Sequence, residues 1–307
     1  MHNLTPMAIR LLDFYEDGEH TRHFTFRLLD PEPDNPESQV SGIAESEEAG
    51  TESPVSASSA SARQSDWMKA ETGQFFMLCL PAVGEAPFTF TQLPDQQGTF
   101  RALVRKMGSV TSALFQLEAG QILGARGPYG KGWPMAEVIN KRVLVVGGGC
   151  GLAPLVGVVN QLIAQQEYTQ LMVVYGARSR QAKMLTPERK HWQQVVQVFN
   201  TIEDGDIDTG ENEYAGTPLD ILPMVLSQFD ETPDVVLLAG PQAMMFAVAK
   251  QLTAGGIAES AIYLSIERRM HCGLQTCGHC YLKDKYVCTD GPTFRWDELK
   301  QHLPDSY

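Results

Sequence analysis

The sequence has no run of 18 or more apolar residues, so it offers no helix able to cross a membrane. Its start, MHNLTPMAIRLLDFYEDGEH, lacks the basic opening, long apolar stretch and small-residue cleavage site of a secretory signal. Basic residues are in deficit: 24 Lys and Arg stand against 37 Asp and Glu, a formal net charge of −13. Nucleic acid binding needs clustered Lys and Arg, and this balance argues against it. No internal repeat is visible. Cysteine is scarce, and four of the six residues crowd into the 17 positions from Cys272 to Cys288. The expected location is the cytoplasm, where thiols stay reduced and clustered cysteines suggest metal or redox chemistry rather than disulfides.

What is present is enough for real cores. Hydrophobic residues make up 43% of 307, a length that suits two ordinary domains and a small third module. The stretch 31–66 (PEPDNPESQVSGIAESEEAGTESPVSASSASARQSD) is rich in Ser, Glu, Pro and Ala and reads as a disordered acidic insert, because it cannot bury enough surface to offset its ordering entropy. Around it lie short strand-like runs at His23–Leu29, Gln74–Leu80, Phe88–Gln92, Thr99–Arg105 and Gln121–Ala125, punctuated by Gly and Pro. Their density suggests an antiparallel barrel or sandwich.

Near Asn140 the pattern changes. Arg142–Val146 (RVLVV) is a continuous apolar run, as for a strand covered on both faces. Helix-like segments (Leu155–Gln166, Pro187–Gln194, Met244–Ala254) then alternate with strand-like ones (Leu171–Tyr175, Val195–Asn200, Val235–Ala239, Ile262–Ser265), which predicts a parallel sheet with crossover helices. The first strand runs into Gly147-Gly148-Gly149-Cys150-Gly151, followed by Ala153-Pro154. Glycines let a backbone approach a pyrophosphate, and the following helix start offers N–H groups. The spacing is not G-x-G-x-x-G, so a tight turn without a ligand is the competing reading. Tyr175-Gly176-Ala177-Arg178 and Ala239-Gly240-Pro241 close two further strands and suit the same crevice. Arg178 and Arg180 could reach an adenosine 2′-phosphate, or be solvated surface charges.

Cys272-x4-Cys277-x2-Cys280-x7-Cys288 is the most specific signal. C-x4-C-x2-C with a later fourth Cys is the plant-type [2Fe–2S] spacing, in which three thiolates sit on one tight loop. Gly273 and Gly278 allow that loop to close. A four-thiolate zinc site is the alternative, although zinc usually takes two short C-x-x-C knuckles. His271 and His279 flank the ligands as surface residues or neighbours of the ligands. Cys79 reads as core.

The Gly127-Pro128-Tyr129-Gly130 segment, the GGGCGLAPL turn, Glu267-Arg268-Arg269-Met270 before the cysteines and Cys288-Thr289-Asp290-Gly291-Pro292 after them together resemble the ferredoxin–NADP reductase superfamily. Within it they are similar to the branch of the dihydroorotate dehydrogenase electron-transfer subunit, the sulfhydrogenase ([NiFe] hydrogenase) gamma subunit and the corresponding subunit of anaerobic sulfite reductase. The resemblance implies an FAD-binding β-barrel over 1–136, a parallel α/β domain for NAD or NADP over 137–262 and a [2Fe–2S] segment over 263–307. It implies that Pro87, Phe88, Thr89 and Phe90 lie along the flavin, and that Gly108, Val110 and Thr111 hold the FAD pyrophosphate. Gly147, Gly148, Gly149, Gly151, Ala153, Pro154, Gly240 and Pro241 would face the nicotinamide nucleotide, with Gly127, Tyr129 and Gly130 as further cofactor contacts. Two positions depart from the pattern. Ala86 stands where many members carry a phosphate-binding Arg, with Arg105 or Lys106 as substitute and FMN as the alternative flavin. Ala239 stands where most carry Cys. The implied activity is electron transfer between NAD(P)H, FAD, the cluster and a catalytic partner of hydrogenase or sulfite reductase type, with no catalytic side chain required. The alternatives are a dihydroorotate dehydrogenase partner, a stand-alone NAD(P)H:acceptor reductase, a flavin scaffold that no longer binds pyridine nucleotide and a zinc-stabilised nucleotide-binding protein.

Overall fold

Along Met7–Glu16 (β1), Met7, Ile9 and Leu11 are buried while Ala8 and Arg10 are exposed, the two-residue period of a strand with one face on a core. A computed structural model of the chain describes residues 4–29, 65–208, 210 and 212–303. In it β1 is an inner strand of a six-stranded antiparallel sheet. The others are β2 (Thr21–Leu28), β3 (Phe75–Leu80), β4 (Gly84–Thr89), β5 (Thr99–Arg105) and β6 (Ile122–Tyr129), in the order β4-β3-β6-β1-β2-β5. The two edges meet beyond β4, where the Thr91 N–H donates to the Arg101 carbonyl at 2.9 Å and the Arg101 N–H to the Gln92 carbonyl at 3.1 Å. That pairing closes the sheet into a barrel, leaving fewer backbone groups unpaired. Its core is aromatic: Phe24, Phe26, Phe76, Phe90, Phe100 and Trp67.

Three expectations shift here. The N-terminal strand β1 was not assigned from sequence, because its alternation breaks at Leu12. The strand expected at Phe88–Gln92 begins earlier, since β4 pairs with β3 from Gly84↔Leu80 to Thr89↔Phe75, and Phe90 turns inward onto Phe76 at 4.9 Å between ring centres. The expected acidic insert falls outside the described residues from 31 to 64, whereas Ser65 and Asp66 open a helical turn that carries Trp67 into the barrel core.

The second sheet is built from β7 (Lys141–Gly148), β8 (Tyr168–Ser179), β9 (Gln197–Asp204), β10 (Glu213–Ala215), β11 (Val235–Ala239), β12 (Ile262–Ser265) and β15 (Thr293–Arg295). Its order is β10-β9-β8-β7-β11-β12-β15, parallel except at β15. Helices cover both faces. Val143 and Val145 pack under the helix Ala153–Gln165, and Leu144 and Val146 face the helices Pro218–Leu226 and Gln242–Ala254. This two-sided burial is why β7 reads as an unbroken apolar run. The C-terminal segment is joined to this sheet. After a small hairpin of β13 (Tyr281–Leu282) and β14 (Lys285–Tyr286), β15 pairs antiparallel with β12, and Phe294, Trp296 and Leu299 share a core with Phe246 and Ile262.

Candidate functional site

The chain builds β7, β8, β9 and β10 outward on one side, then returns to lay β11 against the other side of β7. The seam between β7 and β11 is therefore the point where strand order reverses, the place where open α/β sheets bind ligands beyond the carboxyl ends of their strands. Both turns at that seam are glycine-rich for a steric reason. A Cβ on Gly151 would lie 2.5 Å from the Gly240 nitrogen, and one on Gly148 would lie 2.7 Å from Met244 Sδ. Gly149, with φ +54°, has nothing within 4 Å of its Cβ position, so that turn presents bare backbone to open space. Gly147, Gly148 and Gly151 are buried, and Gly240 and Pro241 close the neighbouring strand.

Beside this edge is a cleft of about 320 Å³. Of the residues expected to hold cofactors, Pro87, Phe88, Thr89, Arg105, Thr111, Ala153 and Pro154 line it together. All four residues Ala86–Thr89 of β4 are half-buried, so the strand offers a partly apolar wall. Phe90 does not face the cleft, since its ring is enclosed in the barrel core. Thr111 turns its hydroxyl to the backbone, accepting from the N–H groups of Met107 at 2.8 Å and Gly108 at 2.9 Å, which shapes the start of the helix Ser109–Leu114. Val110 is half-buried on that helix. Gly127, Tyr129 and Gly130 pack elsewhere. The Gly130 Cβ position lies 2.7 Å from the Gly291 carbonyl oxygen, and Tyr129 rests against Phe75 and Gly273. They build the floor on which the C-terminal segment sits. Sequence reasoning missed Ser265, Ile266, Met270 and Cys150 as cleft residues. For the first three, the Glu267–Met270 motif was the available signal.

The cysteine loop follows directly from that wall. Gly273 and Gly278 take φ near +75°, and a Cβ on Gly273 would strike the Tyr129 ring at 2.9 Å. Backbone N–H groups already point at sulfur: Leu274 and Cys277 donate to Cys272 Sγ at 3.3 and 3.4 Å, and Gln275 to Cys288 Sγ at 3.2 Å. Burial first, and then the Cys280 thiol, push the Cys288 thiol up to about 12. At Cys277 burial acts in the same direction, but the His279 N–H and the Cys272 thiol outweigh it and hold the group below the usual thiol range. A metal centre is a means of keeping four such thiols as thiolates in one loop. His271 and His279 stack edge to face at 4.3 Å beside it.

Three family models match in chain order: an oxidoreductase FAD-binding domain over 59–133, an oxidoreductase NAD-binding domain over 145–250 and the iron–sulfur cluster binding domain of dihydroorotate dehydrogenase B over 267–300. The sulfhydrogenase 2 gamma subunit of Pyrococcus furiosus is 30% identical over 244 residues, covering 74% of this chain and 84% of that one. A probable dihydroorotate dehydrogenase B (NAD(+)) electron transfer subunit of Thermococcus kodakarensis is 33% identical over 229 residues, covering 74% and 85%. The chain belongs to this family of electron-transfer subunits. The fold has the same company: a solved chain of the NADH-dependent reduced ferredoxin–NADP oxidoreductase superposes with a TM-score of 0.68 at 21% identity, covering 100% of this chain and 95% of that one. The electron-transfer subunit is thus an oxidoreductase with FAD-, NAD- and iron–sulfur-binding domains, as its sequence led us to expect.

Two further groups of polar residues stand out in the electron-transfer subunit. At the end of β8, Arg178 is exposed, with Nε 3.8 Å from the Asp204 carboxylate, while Arg180 just beyond the strand donates to buried Glu213 at 3.1 Å, a carboxylate that also takes Lys183. Elsewhere, Asp17 and His23 of the barrel and Glu188 of the helix Thr186–Trp192 bring ligand atoms within 4.8 Å of one another. His23 is bonded on both ring nitrogens, to Tyr15 Oη and Thr91 Oγ1, each at 2.6 Å, and Asp17 accepts the N–H of Leu185 at 3.0 Å. Burial pushes His23 down to about 4, and it holds Asp17 and Glu188 above the usual carboxylate range. No sequence motif signalled this cluster, because its members lie up to 171 positions apart.

Proposed function

We propose that this subunit passes electrons between NADH or NADPH and a [2Fe–2S] centre by way of FAD, and exchanges them with a catalytic partner subunit. The observation that carries the reading is the cleft, where β4, the glycine turn and the approach to the cysteine loop share one wall. FAD, when bound, supplies hydride exchange with a nicotinamide and one-electron exchange with an iron–sulfur cluster. The chain's own residues bind and orient. Pro87–Thr89 offer the surface for the flavin ring. Arg105 lines the cleft and is the substitute for the arginine absent at Ala86, whereas Lys106 sits 5.9 Å over the Phe115 ring. Gly108, Val110 and Thr111 form the helix start for the flavin pyrophosphate, and Gly147–Gly151 with Gly240 and Pro241 form the bare edge for the nicotinamide nucleotide. Arg178 is the exposed arginine for a 2′-phosphate.

The cysteine spacing supports two irons over one zinc: three thiols sit on a single loop and the fourth follows seven residues later, the plant-type [2Fe–2S] pattern, whereas zinc usually takes two short C-x-x-C knuckles.

Cys277 is exposed, as is Tyr281 next to Cys280, which suits electron exchange with another protein. The sulfhydrogenase gamma relatives support a partner of the hydrogenase type, with sulfite reductase a related choice; dihydroorotate dehydrogenase is the second reading, favoured by its own electron transfer subunits among the relatives and by the iron–sulfur domain match. Among the described residues no helix is long and apolar enough to cross a membrane; the location we propose is the cytoplasm, where the clustered thiols stay reduced. The test is the visible spectrum of anaerobically purified protein before and after NADH or NADPH. Flavin bands with a long-wavelength shoulder, bleached by one nucleotide, are expected. A colourless zinc protein refutes the proposal. Assays of the co-purified complex with hydrogen, sulfite or dihydroorotate then identify the partner.

A further inference from the structure

Arg126, on β6, is only 4% exposed, and its guanidinium is engaged on every arm. Nε donates to Glu85 Oε1 at 3.2 Å and Nη2 to Glu85 Oε2, while Nη1 donates to the Tyr129 hydroxyl at 3.2 Å and to the Cys272 carbonyl at 3.0 Å. The three partners come from three places. Glu85 immediately precedes Ala86–Thr89, the strand wall of the cleft. Tyr129 carries Gly273 on its ring. Cys272 is the first cysteine of the loop. Burying a guanidinium is strongly unfavourable unless its donors are matched, and here they are matched to groups that span the flavin wall and the cysteine loop. Glu85 is itself held below the usual carboxylate range: burial opposes this, and the Arg126 bonds and the Cys79 thiol, which donates at 3.1 Å, outweigh it. The pair is thus an ionised Arg⁺–Glu⁻ unit with its positive end turned toward Cys272.

We infer that Arg126 is a positioning residue that ties the first cluster cysteine to the flavin wall, and that its charge, offset by Glu85, sets the reduction potential of the centre the four cysteines hold. The inference rests on the [2Fe–2S] reading above. An electron arriving in the loop adds one negative charge and breaks no bond. A cation beside the loop stabilises the reduced form and an anion destabilises it; Arg126 is buried and Glu85 half-buried, so solvent screens the pair only in part. The two members of the pair therefore act with opposite signs, which loosening of the structure alone does not produce.

The experiment is an EPR-monitored redox titration of the full-length protein as wild type, Arg126→Gln, Arg126→Lys and Glu85→Gln. Arg126→Gln is expected to disfavour the reduced centre about tenfold, a fall of 59 mV for one electron. Glu85→Gln is expected to favour it by a similar factor, and Arg126→Lys to restore most of the loss. If the wild type gives no iron–sulfur signal on reduction, the proposed function falls. If it gives the signal but the Gln variants shift the same way, or neither moves by twofold, the role of Arg126 falls. If Arg126→Gln does not fold, the sign of the Glu85→Gln shift decides by itself: upward supports the role, and no shift or a downward one overturns it.

Discussion

Placing a methyl group on Gly151 tests whether the two central turns are locked together as the structure has them. The added Cβ would lie 2.5 Å from the Gly240 nitrogen and 2.9 Å from the Ala239 carbonyl carbon. Gly240 Cα lies closer still, and ordinary carbon contacts need about 3.5 Å, so the turns after β7 and β11 must separate by more than an ångström. Both belong to paired neighbours, Gly147 facing Ala239, and neither obstacle is a side chain that can swing away. Overpacking of this kind costs about 1–3 kcal/mol, and backbone against backbone puts it near the upper end, about 3. Gly149→Ala is the matched control. Its position is open for 4 Å around, and its cost is the left-handed conformation alone, about 1 kcal/mol. At roughly 3 °C per kcal/mol for a unit of this size, melting should fall by about 9 °C for Gly151→Ala and about 3 °C for Gly149→Ala. The assay is thermal unfolding followed by circular dichroism, paired with NADH or NADPH titration of the flavin absorbance. Both variants should weaken nucleotide binding, Gly151→Ala by moving the turn and Gly149→Ala by adding bulk in front of it. A Gly151→Ala protein that melts within about 3 °C of wild type, or above Gly149→Ala, would refute the interlocked turns.

Other outcomes follow from the same structure. Trp67→Ala, at 1% exposure among Phe76, Phe90 and Phe100, should cost about 3–5 kcal/mol; a denaturant midpoint equal to wild type would show that Trp67 is not anchored in the barrel. Cys288→Ser should lose its iron, whereas Cys79→Ser, on β3 and outside the loop, should keep it; equal iron content in the two would remove the assignment of Cys288. His23 titrates near 6.5 when unfolded and about 4 when folded, so its contribution, up to about 3 kcal/mol, is complete above pH 6.5 and fades as pH falls toward 4. Asp17 and Glu188, raised by burial, act oppositely, losing their contribution as pH rises through their folded values. His23→Gln should therefore flatten the acid limb of a urea-midpoint profile between pH 6.5 and 4, and an unchanged limb would contradict the neutral buried imidazole.

Much of this protein is legible one segment at a time. The cysteine spacing and its two loop glycines, the apolar run of β7 ending in Gly147–Gly151, and the β–α alternation after Asn140 are local patterns. Each depends on a chain period or on a turn that only certain residues permit. The sequence by itself therefore determined the barrel, the parallel sheet, their order and the residue types available for cofactors. It did not reveal which segments meet. Phe90 lies next to Thr89 in sequence yet faces the barrel core, because β4 ends one residue earlier and the aromatic cluster draws the ring inward. The cleft joins residues from Gly73 to Pro292. The ligand seam exists because β11 returns beside β7. The Arg126 bridge joins positions 85, 126 and 272, and the Asp17–His23–Glu188 cluster joins the barrel to the helix Thr186–Trp192. These were decided only by the tertiary structure, since strand order and the pairing of buried charges depend on packing between distant segments, and neither leaves a period or a spacing in the chain.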